Sequence, residues 1–170
     1  MAYKRTEIDE KEIARQRDIC ARISAENAGL PERPLALVDT YGCQQNEEDS
    51  ERLRGYLAEM GFGFTRDENA AEVVVVNTCA IREHAEMRVL GNVGALVHAK
   101  KRNPRLVVAV CGCMVQQPHM AEKLKKSFRV VDLAFGPHQL WRFPELYDRA
   151  RAHRERVFQC GPSEGVVAEG

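Results

Sequence analysis

Three apolar runs recur along the chain, and each leads through a short turn to a cysteine. The runs occupy residues 35–39, 73–77 and 106–110, and they are rich in Val, Leu and Ala. Short runs with few polar positions are typical of strands that are buried on both faces of a parallel sheet. The cysteines that follow are Cys43, Cys79 and Cys113. Their spacing is about one strand–helix–strand unit, which needs roughly 30 or more residues.

Segments of helical period separate these runs. Leu53, Leu57 and Met60 form one apolar stripe that ends at Gly61, and a longer stripe over residues 83–102 stops before Pro104. Further helices are predicted over 117–128 and 140–153, and further strands over 62–65 and 129–135. The alternation predicts an α/β fold: an open, mostly parallel sheet of about five strands with helices on both faces, of the Rossmann or flavodoxin-like kind.

The ends of the chain have weaker patterns. Residues 7–28 predict a helix with a thin apolar stripe, and Gly and Pro in residues 29–34 are typical of a linker. We therefore expect residues 1–34 to form a helical extension that packs loosely on the domain or on a partner. The main domain is expected at 35–153, and 154–170 is expected to be a linker.

Composition narrows the possible classes of protein. The 170 residues carry 25 basic and 25 acidic side chains, so no global charge points to nucleic acid. Neither a secretory signal nor an apolar run of about 20 residues is apparent, which predicts a cytoplasmic protein without membrane contact. We also expect a monomer. In a reducing compartment, the six cysteines indicate metal or redox chemistry more than disulfides.

Cysteines that follow parallel strands lie at the carboxyl edge of the sheet, where open α/β folds bind ligands. Thiolates are soft ligands that suit zinc, copper(I) or iron–sulfur clusters. A structural zinc site takes four ligands and often uses Cys-x-x-Cys pairs, which this sequence lacks. A cubane cluster normally takes four cysteines, so three would leave one iron open, an arrangement that indicates chemistry rather than scaffolding.

Two other kinds of site are compatible with this pattern. One is a flavodoxin-like module that holds a nucleotide or flavin at the same edge, although the chain lacks a Gly-x-Gly-x-x-Gly loop. The other is a three-cysteine zinc site. For the remaining cysteines, we interpret Cys20 as a small apolar helix residue and Cys111 as an inward-facing core residue. Cys160 is interpreted as an exposed thiol in a loop.

The cysteine-bearing stretches are TYGCQQNEEDS at 40–50, NTCAIRE at 77–83 and GCM at 112–114. In this order they resemble the N-terminal domain of the radical S-adenosylmethionine methylthiotransferases, over about residues 35–147. The first two stretches are most similar to the tRNA branch of that family, the 2-methylthio-isopentenyladenosine synthases. Gln45 stands where the family usually has Met, and Cys111 stands where Gly is more usual.

The resemblance implies that Cys43, Cys79 and Cys113 ligate an auxiliary 4Fe–4S cluster whose open iron handles the sulfur to be inserted. It also implies a tRNA substrate, methylthiolated at C2 of an isopentenylated adenosine next to the anticodon. The family continues into a radical S-adenosylmethionine domain, with a second 4Fe–4S cluster on Cys-x-x-x-Cys-x-x-Cys, and an RNA-binding domain. That triplet does not occur here. We therefore expect an excised domain that is inactive alone and contains no catalytic residue.

Overall fold

Six strands and five α-helices make up the fold in the computed structural model, which describes residues 9–42, 44–79, 83–153 and 155–160. The strands are β1 (Leu35–Thr40), β2 (Gly63–Phe64), β3 (Val73–Thr78), β4 (Val107–Gly112), β5 (Leu133–Phe135) and β6 (Val157–Gln159). The helices are α1 (Glu10–Ala28), α2 (Gln44–Glu59), α3 (Glu83–Arg102), α4 (Pro118–Ser127) and α5 (Phe143–His153). Short 3₁₀ turns cover Cys113–Gln116 and Pro137–Arg142.

All six strands are parallel and form one open sheet in the order β2-β1-β3-β4-β5-β6. The first five strands have the flavodoxin-like order, in which the chain reverses direction across the sheet between β1 and β3. The predicted α/β class and parallel sheet are confirmed. The sheet has six strands, whereas the sequence predicted about five.

The sheet is buried on both faces, and the alternation of side chains along the strands divides the core into two clusters. Val73, Val75 and Ala109 face α1, α2 and α5 on one side, whereas Val74, Val76 and Val108 face α3 and α4 on the other. All six residues of β3 are buried, as are all six of β4. Burial on both faces explains why residues 73–76 and 107–110 of these strands are apolar without a break rather than alternating in polarity.

The N-terminal helix is part of the domain, so the expectation of loose packing is wrong. Ile23 is fully buried and Cys20 is 3% exposed, both within the core cluster of the α1 side. Arg22 lies 2.5 Å from the carboxylate of Asp148 on α5 and adds an ion pair to this apolar contact. The helix begins at Glu10, with Asp9 as its N-cap, and its expected start at residue 7 lies outside the described residues.

The C-terminal boundary also differs from the expected one. The last strand, β6, falls in the segment expected to be a linker, and it pairs in register with β5. Cys160 follows that strand and is 8% exposed, packed in the cluster on the α3 and α4 side. The interpretation of Cys160 as an exposed thiol is therefore wrong, and burial raises its pKa to about 11. Over the described ranges, no helix is long and apolar enough to cross a membrane.

Candidate metal centre

The register of three neighbouring strands aligns their carboxyl ends. Thr40 of β1 is the partner of Asn77 of β3, and Thr78 of β3 is the partner of Gly112 of β4. Cys79 and Cys113 directly follow a register pair, so they leave the sheet at the same level. Neighbouring strands lie about 4.8 Å apart, which places these chain ends side by side. We call this region, residues 40–42, 78–79 and 112–113, the cysteine edge.

Gly42 brings the first turn against the second. Its φ angle is +153°, and a Cβ at this position would lie 2.7 Å from the Cβ of Cys79 and 2.3 Å from Oδ1 of Asn46. Real Cβ atoms do not approach other heavy atoms so closely, so a side chain here would separate the two turns. The residue immediately before Cys43 therefore touches Cys79 because it is a glycine.

Gly112 makes the corresponding contact between the second and third turns. Its φ angle is +102°, and a Cβ there would lie 2.0 Å from the carbonyl oxygen of Thr78. The residue before Cys113 is thus packed on the residue before Cys79. Both glycines remove bulk that would otherwise hold the cysteine-bearing turns apart, so these turns can lie in direct contact with one another.

The structure describes two of the three predicted ligands, Cys79 and Cys113. Cys79 is half-buried, Cys113 is exposed at the start of the 3₁₀ turn that follows β4, and Cys43 lies outside the described residues. Without Cys43, the described side chains include no group of three or more His, Cys, Asp or Glu residues arranged to hold a metal ion. The residues on both sides of Cys43, namely Gly42 and Gln44, are described, and Gly42 borders Cys79.

Two further cysteines lie in the core, a position that the sequence predicted for Cys111, whereas Cys20 was interpreted only as a small apolar helix residue. Cys111 is 1% exposed and belongs to the cluster on the α1 side, where burial raises the pKa of its thiol. Cys20 packs in the same cluster, and burial, aided by the nearby Glu59 carboxylate, raises its pKa to about 12. Both thiols are held in the protonated form, which is a poor metal ligand.

A network of buried polar side chains lies beneath the cysteine edge. Asn77 donates through Nδ2 to the carbonyl oxygen of Asn46 at 2.8 Å and to Oγ of Ser50 at 3.0 Å. Asn46 donates through Nδ2 to the carbonyl oxygen of Thr78 at 2.9 Å. The Thr78 hydroxyl donates to the carbonyl oxygen of Cys111 at 2.6 Å. The network therefore links the turns that carry the three predicted ligands.

Sequence analysis did not identify this network. Asn46 has the residue type of a helix N-cap and would fit the start of α2, but that helix begins at Gln44 and Asn46 lies within its first turn. Asn77 and Thr78 end a run of four valines, and both are at most 1% exposed. The network could have been recognised from these two polar residues, because they end a strand that is buried on both faces and buried polar side chains require hydrogen-bond partners.

A groove of about 480 Å³ lies beside the cysteine edge, between β1 and α3. Asn92 of α3 donates a hydrogen bond to the hydroxyl of Tyr41, which directly precedes Gly42, and burial is the main cause that raises the pKa of Tyr41. The volume is within the range of small-molecule sites. Its rim carries side chains of both charges, namely Asp39, Arg66 and Glu68.

A family model and the similar curated proteins indicate the same family for this chain. The model of "Uncharacterized protein family UPF0004" matches residues 36–136. Three similar curated proteins are each named tRNA-2-methylthio-N(6)-dimethylallyladenosine synthase. The one from Alkaliphilus oremlandii is 41% identical over 163 residues, covering 96% of this chain and 34% of the relative. The one from Acetivibrio thermocellus is 42% identical over 166 residues, covering 95% of this chain and 35% of the relative. The one from Clostridium tetani is 44% identical over 133 residues, covering 78% of this chain and 29% of the relative. The chain spans about a third of the length of these relatives.

Proposed function

Because the chain belongs to the family UPF0004, we propose that it is the cluster-binding domain of a tRNA methylthiotransferase. The membership, together with relatives named tRNA-2-methylthio-N(6)-dimethylallyladenosine synthase, confirms the family resemblance that the three cysteine-containing stretches indicated. In this proposal Cys43, Cys79 and Cys113 hold an auxiliary 4Fe–4S cluster at the cysteine edge.

The observation that supports the proposal most strongly is the close approach of the turns at Gly42 and Gly112. A Cβ at either glycine would occupy space taken by Cys79 or Thr78. Close contact between turns at the ligand-binding edge of a flavodoxin-like sheet suits a group that several turns bind together. The donors are thiolates, the usual ligands of iron–sulfur clusters. The residues therefore fit a cluster with one iron that has no protein ligand.

The chain's own residues would hold and orient the cluster. Cys79 is half-buried and Cys113 is exposed, so the bound face would be partly sheltered by the domain and partly open to a partner. When bound, the cluster would supply an iron position for the sulfur that is to be inserted. Cys111 lies two residues before Cys113, but its side chain is buried in the core cluster on the α1 side, so it stays outside the proposed ligand set.

The activity of the whole enzyme is part of the proposal. The relatives are named for a tRNA-2-methylthio-N(6)-dimethylallyladenosine product, so the substrate would be an isopentenylated adenosine of tRNA, next to the anticodon and modified at C2. A second 4Fe–4S cluster and S-adenosylmethionine would bind in a separate domain, because its Cys-x-x-x-Cys-x-x-Cys ligand motif is absent from these residues. This chain by itself would bind a cluster without turning over.

Anaerobic reconstitution with iron and sulfide tests the proposal. The protein should take up about four iron and four sulfide per chain and show the broad visible absorption of a cysteine-bound cubane. Single Cys43→Ala, Cys79→Ala and Cys113→Ala variants should lose most of that iron. Cys20→Ala and Cys160→Ala are matched controls and should retain it, because both thiols lie in the core.

Two results would contradict the assignment. Iron content that is unchanged in all three ligand variants would remove these cysteines from the site. Protein purified anaerobically with stoichiometric zinc, or with flavin and without iron, would favour the three-cysteine zinc site or the flavin-binding module instead. Elemental analysis and the absorption spectrum of the released cofactor distinguish these outcomes.

A further inference from the structure

We infer that Asn46 and Thr78 are positioning residues for the cysteine edge: their hydrogen bonds fix the start of α2 and the ends of β3 and β4 relative to one another before any metal is present. The inference rests on the proposed function for the identity of the bound group. The hydrogen bonds themselves concern the metal-free protein, so they can be tested separately.

Asn46 connects the first turn to the second. It lies three residues after Cys43, and its amide nitrogen donates to the carbonyl oxygen of Thr78, the residue before Cys79. Its Oδ1 is also the atom nearest to a Cβ placed on Gly42, so the same side chain packs under the backbone that leads into Cys43. One buried amide, 6% exposed, therefore contacts both turns.

Asn77 fixes the position of Asn46. It donates one hydrogen bond to the main-chain carbonyl of Asn46 and one to Ser50, one turn further along α2. Ser50 in turn shares a hydrogen bond of 2.7 Å with the hydroxyl of Thr40 on β1. The first turn of α2 is thereby attached to β1 and β3, and the amide of Asn46 has little freedom to move away from Thr78.

Thr78 connects the second turn to the third. Its side chain is fully buried and its hydroxyl donates to the carbonyl oxygen of Cys111, two residues before Cys113. The backbone of Thr78 also packs against Gly112. A β-branched hydroxyl residue thus fixes the end of β4 through both its side chain and its main chain.

Residues behind the ligands commonly set their orientation, and their loss typically lowers metal affinity about 10–100-fold. No side-chain nitrogen or oxygen buried within the described ranges lacks a hydrogen-bond partner, so this network is complete as it stands. A complete buried network rigidifies the elements it joins. Its position beneath three turns, rather than between helices, is what makes it a support for the site.

The first test compares Asn46→Ala with Leu146→Ala, a control that removes a fully buried side chain on α5. Both variants are reconstituted anaerobically, and loss of iron to a chelator is followed by absorbance. We expect Asn46→Ala to lose iron about tenfold faster than the parent, whereas Leu146→Ala, although less stable to urea, loses it at the parental rate. Equal rates in parent and Asn46→Ala would overturn the inference, and so would an equal acceleration in Leu146→Ala.

A pair of substitutions at Thr78 separates the loss of its hydrogen bond from a general effect on folding. Thr78→Val keeps the shape and removes the hydroxyl, and Thr78→Ser keeps the hydroxyl that donates to Cys111. We expect Thr78→Val to accelerate iron loss about tenfold and Thr78→Ser to restore the parental rate. The same rate in both substitutions would show that the hydroxyl does not position the third turn.

Arsenite provides a readout without iron, because a soft trivalent ion can be bound by three thiols together. Titration of the reduced, metal-free protein should show about tenfold weaker binding by Asn46→Ala and Thr78→Val than by the parent. If the parent accepts no iron but this pattern holds, the proposed cluster is wrong and the positioning role stands. A parent that binds arsenite no more tightly than Cys79→Ala would overturn the positioning role itself.

Discussion

The guanidinium of Arg156 lies 4.9 Å from the centre of the Phe158 ring. Arg156 directly precedes β6, and Phe158 is the middle residue of that strand. From this position the guanidinium donates to the carbonyl oxygens of Val131 at 2.8 Å, Lys125 at 2.9 Å and Phe128 at 3.1 Å. A helix leaves its last carbonyls without partners inside the helix. Arg156 therefore caps the C-terminal end of α4 and connects β6 to that helix.

Replacing Arg156 with Ala should lower the free energy of unfolding by about 1.5–3 kcal/mol, since hydrogen bonds from a charged donor are lost and the carbonyls lose partners. Arg156→Lys should recover less than half of this loss, because a single ammonium cannot reproduce the planar fork. Urea unfolding followed by circular dichroism measures both. A change below about 0.5 kcal/mol in the Ala variant would show that solvent satisfies these carbonyls equally well.

Gly112→Ala should destabilise the protein and reduce its iron uptake together. The backbone of Gly112, at φ +102° and ψ −173°, lies in a region that is essentially restricted to glycine and costs other residues about 1–3 kcal/mol, and the added methyl group also has to displace the main chain of Thr78. Urea unfolding and iron analysis after reconstitution measure the two effects. Gly55→Ala is the matched control, because nothing lies within 4 Å of a Cβ at that exposed helical position.

The control should behave in the opposite way. Alanine in a helix interior is favoured over glycine by about 0.5–1 kcal/mol, so Gly55→Ala should be slightly more stable than the parent and take up iron normally. If Gly112→Ala kept parental stability and iron content, the contact with Thr78 would have no role in holding the cysteine edge.

The cysteines should differ strongly in reactivity in the reduced, metal-free protein. Cys113 is exposed, whereas Cys20 and Cys160 are buried with pKa values raised to about 12 and about 11. A brief pulse of N-ethylmaleimide at pH 8, read by mass spectrometry, should label Cys113 about a hundredfold faster or more. In urea the difference should disappear. Rapid labelling of native Cys160 would contradict its place in the core.

Stability should fall in acid as the contact between α1 and α5 loses its charges. Burial opposes ionisation of Glu145 and Asp148, but hydrogen bonds from Arg142, and from Arg22 and Arg151, prevail and lower both pKa values below the ordinary 4.5 and 3.8. Folded carboxylates with lowered pKa values bind protons less readily than the unfolded chain. Their stabilisation is therefore complete above pH 4.5 and is lost as the pH falls through the lower folded values.

A double variant, Glu145→Gln with Asp148→Asn, checks this assignment. It should be less stable than the parent at pH 7, and its free energy of unfolding should change less between pH 5 and pH 3. Urea midpoints across that interval give the comparison. A parallel decline in parent and variant would mean that other carboxylates dominate acid sensitivity.

The pattern of apolar positions was sufficient where packing alone decides the structure. The stripe that ends before Pro104 predicted α3 with the observed bounds, and the runs of valine predicted β3 and β4 within two residues. The same pattern predicted the helix α1 but not its close packing on the domain, because its buried face includes Gln16. That side chain is 4% exposed because it both donates to and accepts from Glu145, a partner 129 residues away. A polar residue with a distant partner leaves no periodic signal.

Short edge elements were harder to predict for a similar reason. A strand over 129–135 was expected, but the amide of Val131 bonds the carbonyl of Phe128 in a turn, and β5 begins at Leu133. The three residues of β6 depend on β5 and on Arg156 rather than on an apolar run of their own. The three cysteines could be found because they recur, whereas the polar support beneath them could be identified after the strands were placed.

The parallel direction of β6 determines where the polypeptide leaves the sheet. At Gln159 the chain runs toward the cysteine edge, two strands and therefore about 10 Å across from β4. Cys111, Phe135 and Gln159 are register partners across β4, β5 and β6, so the carboxyl ends of these strands form one continuous rim that a group bound at the cysteine edge would share.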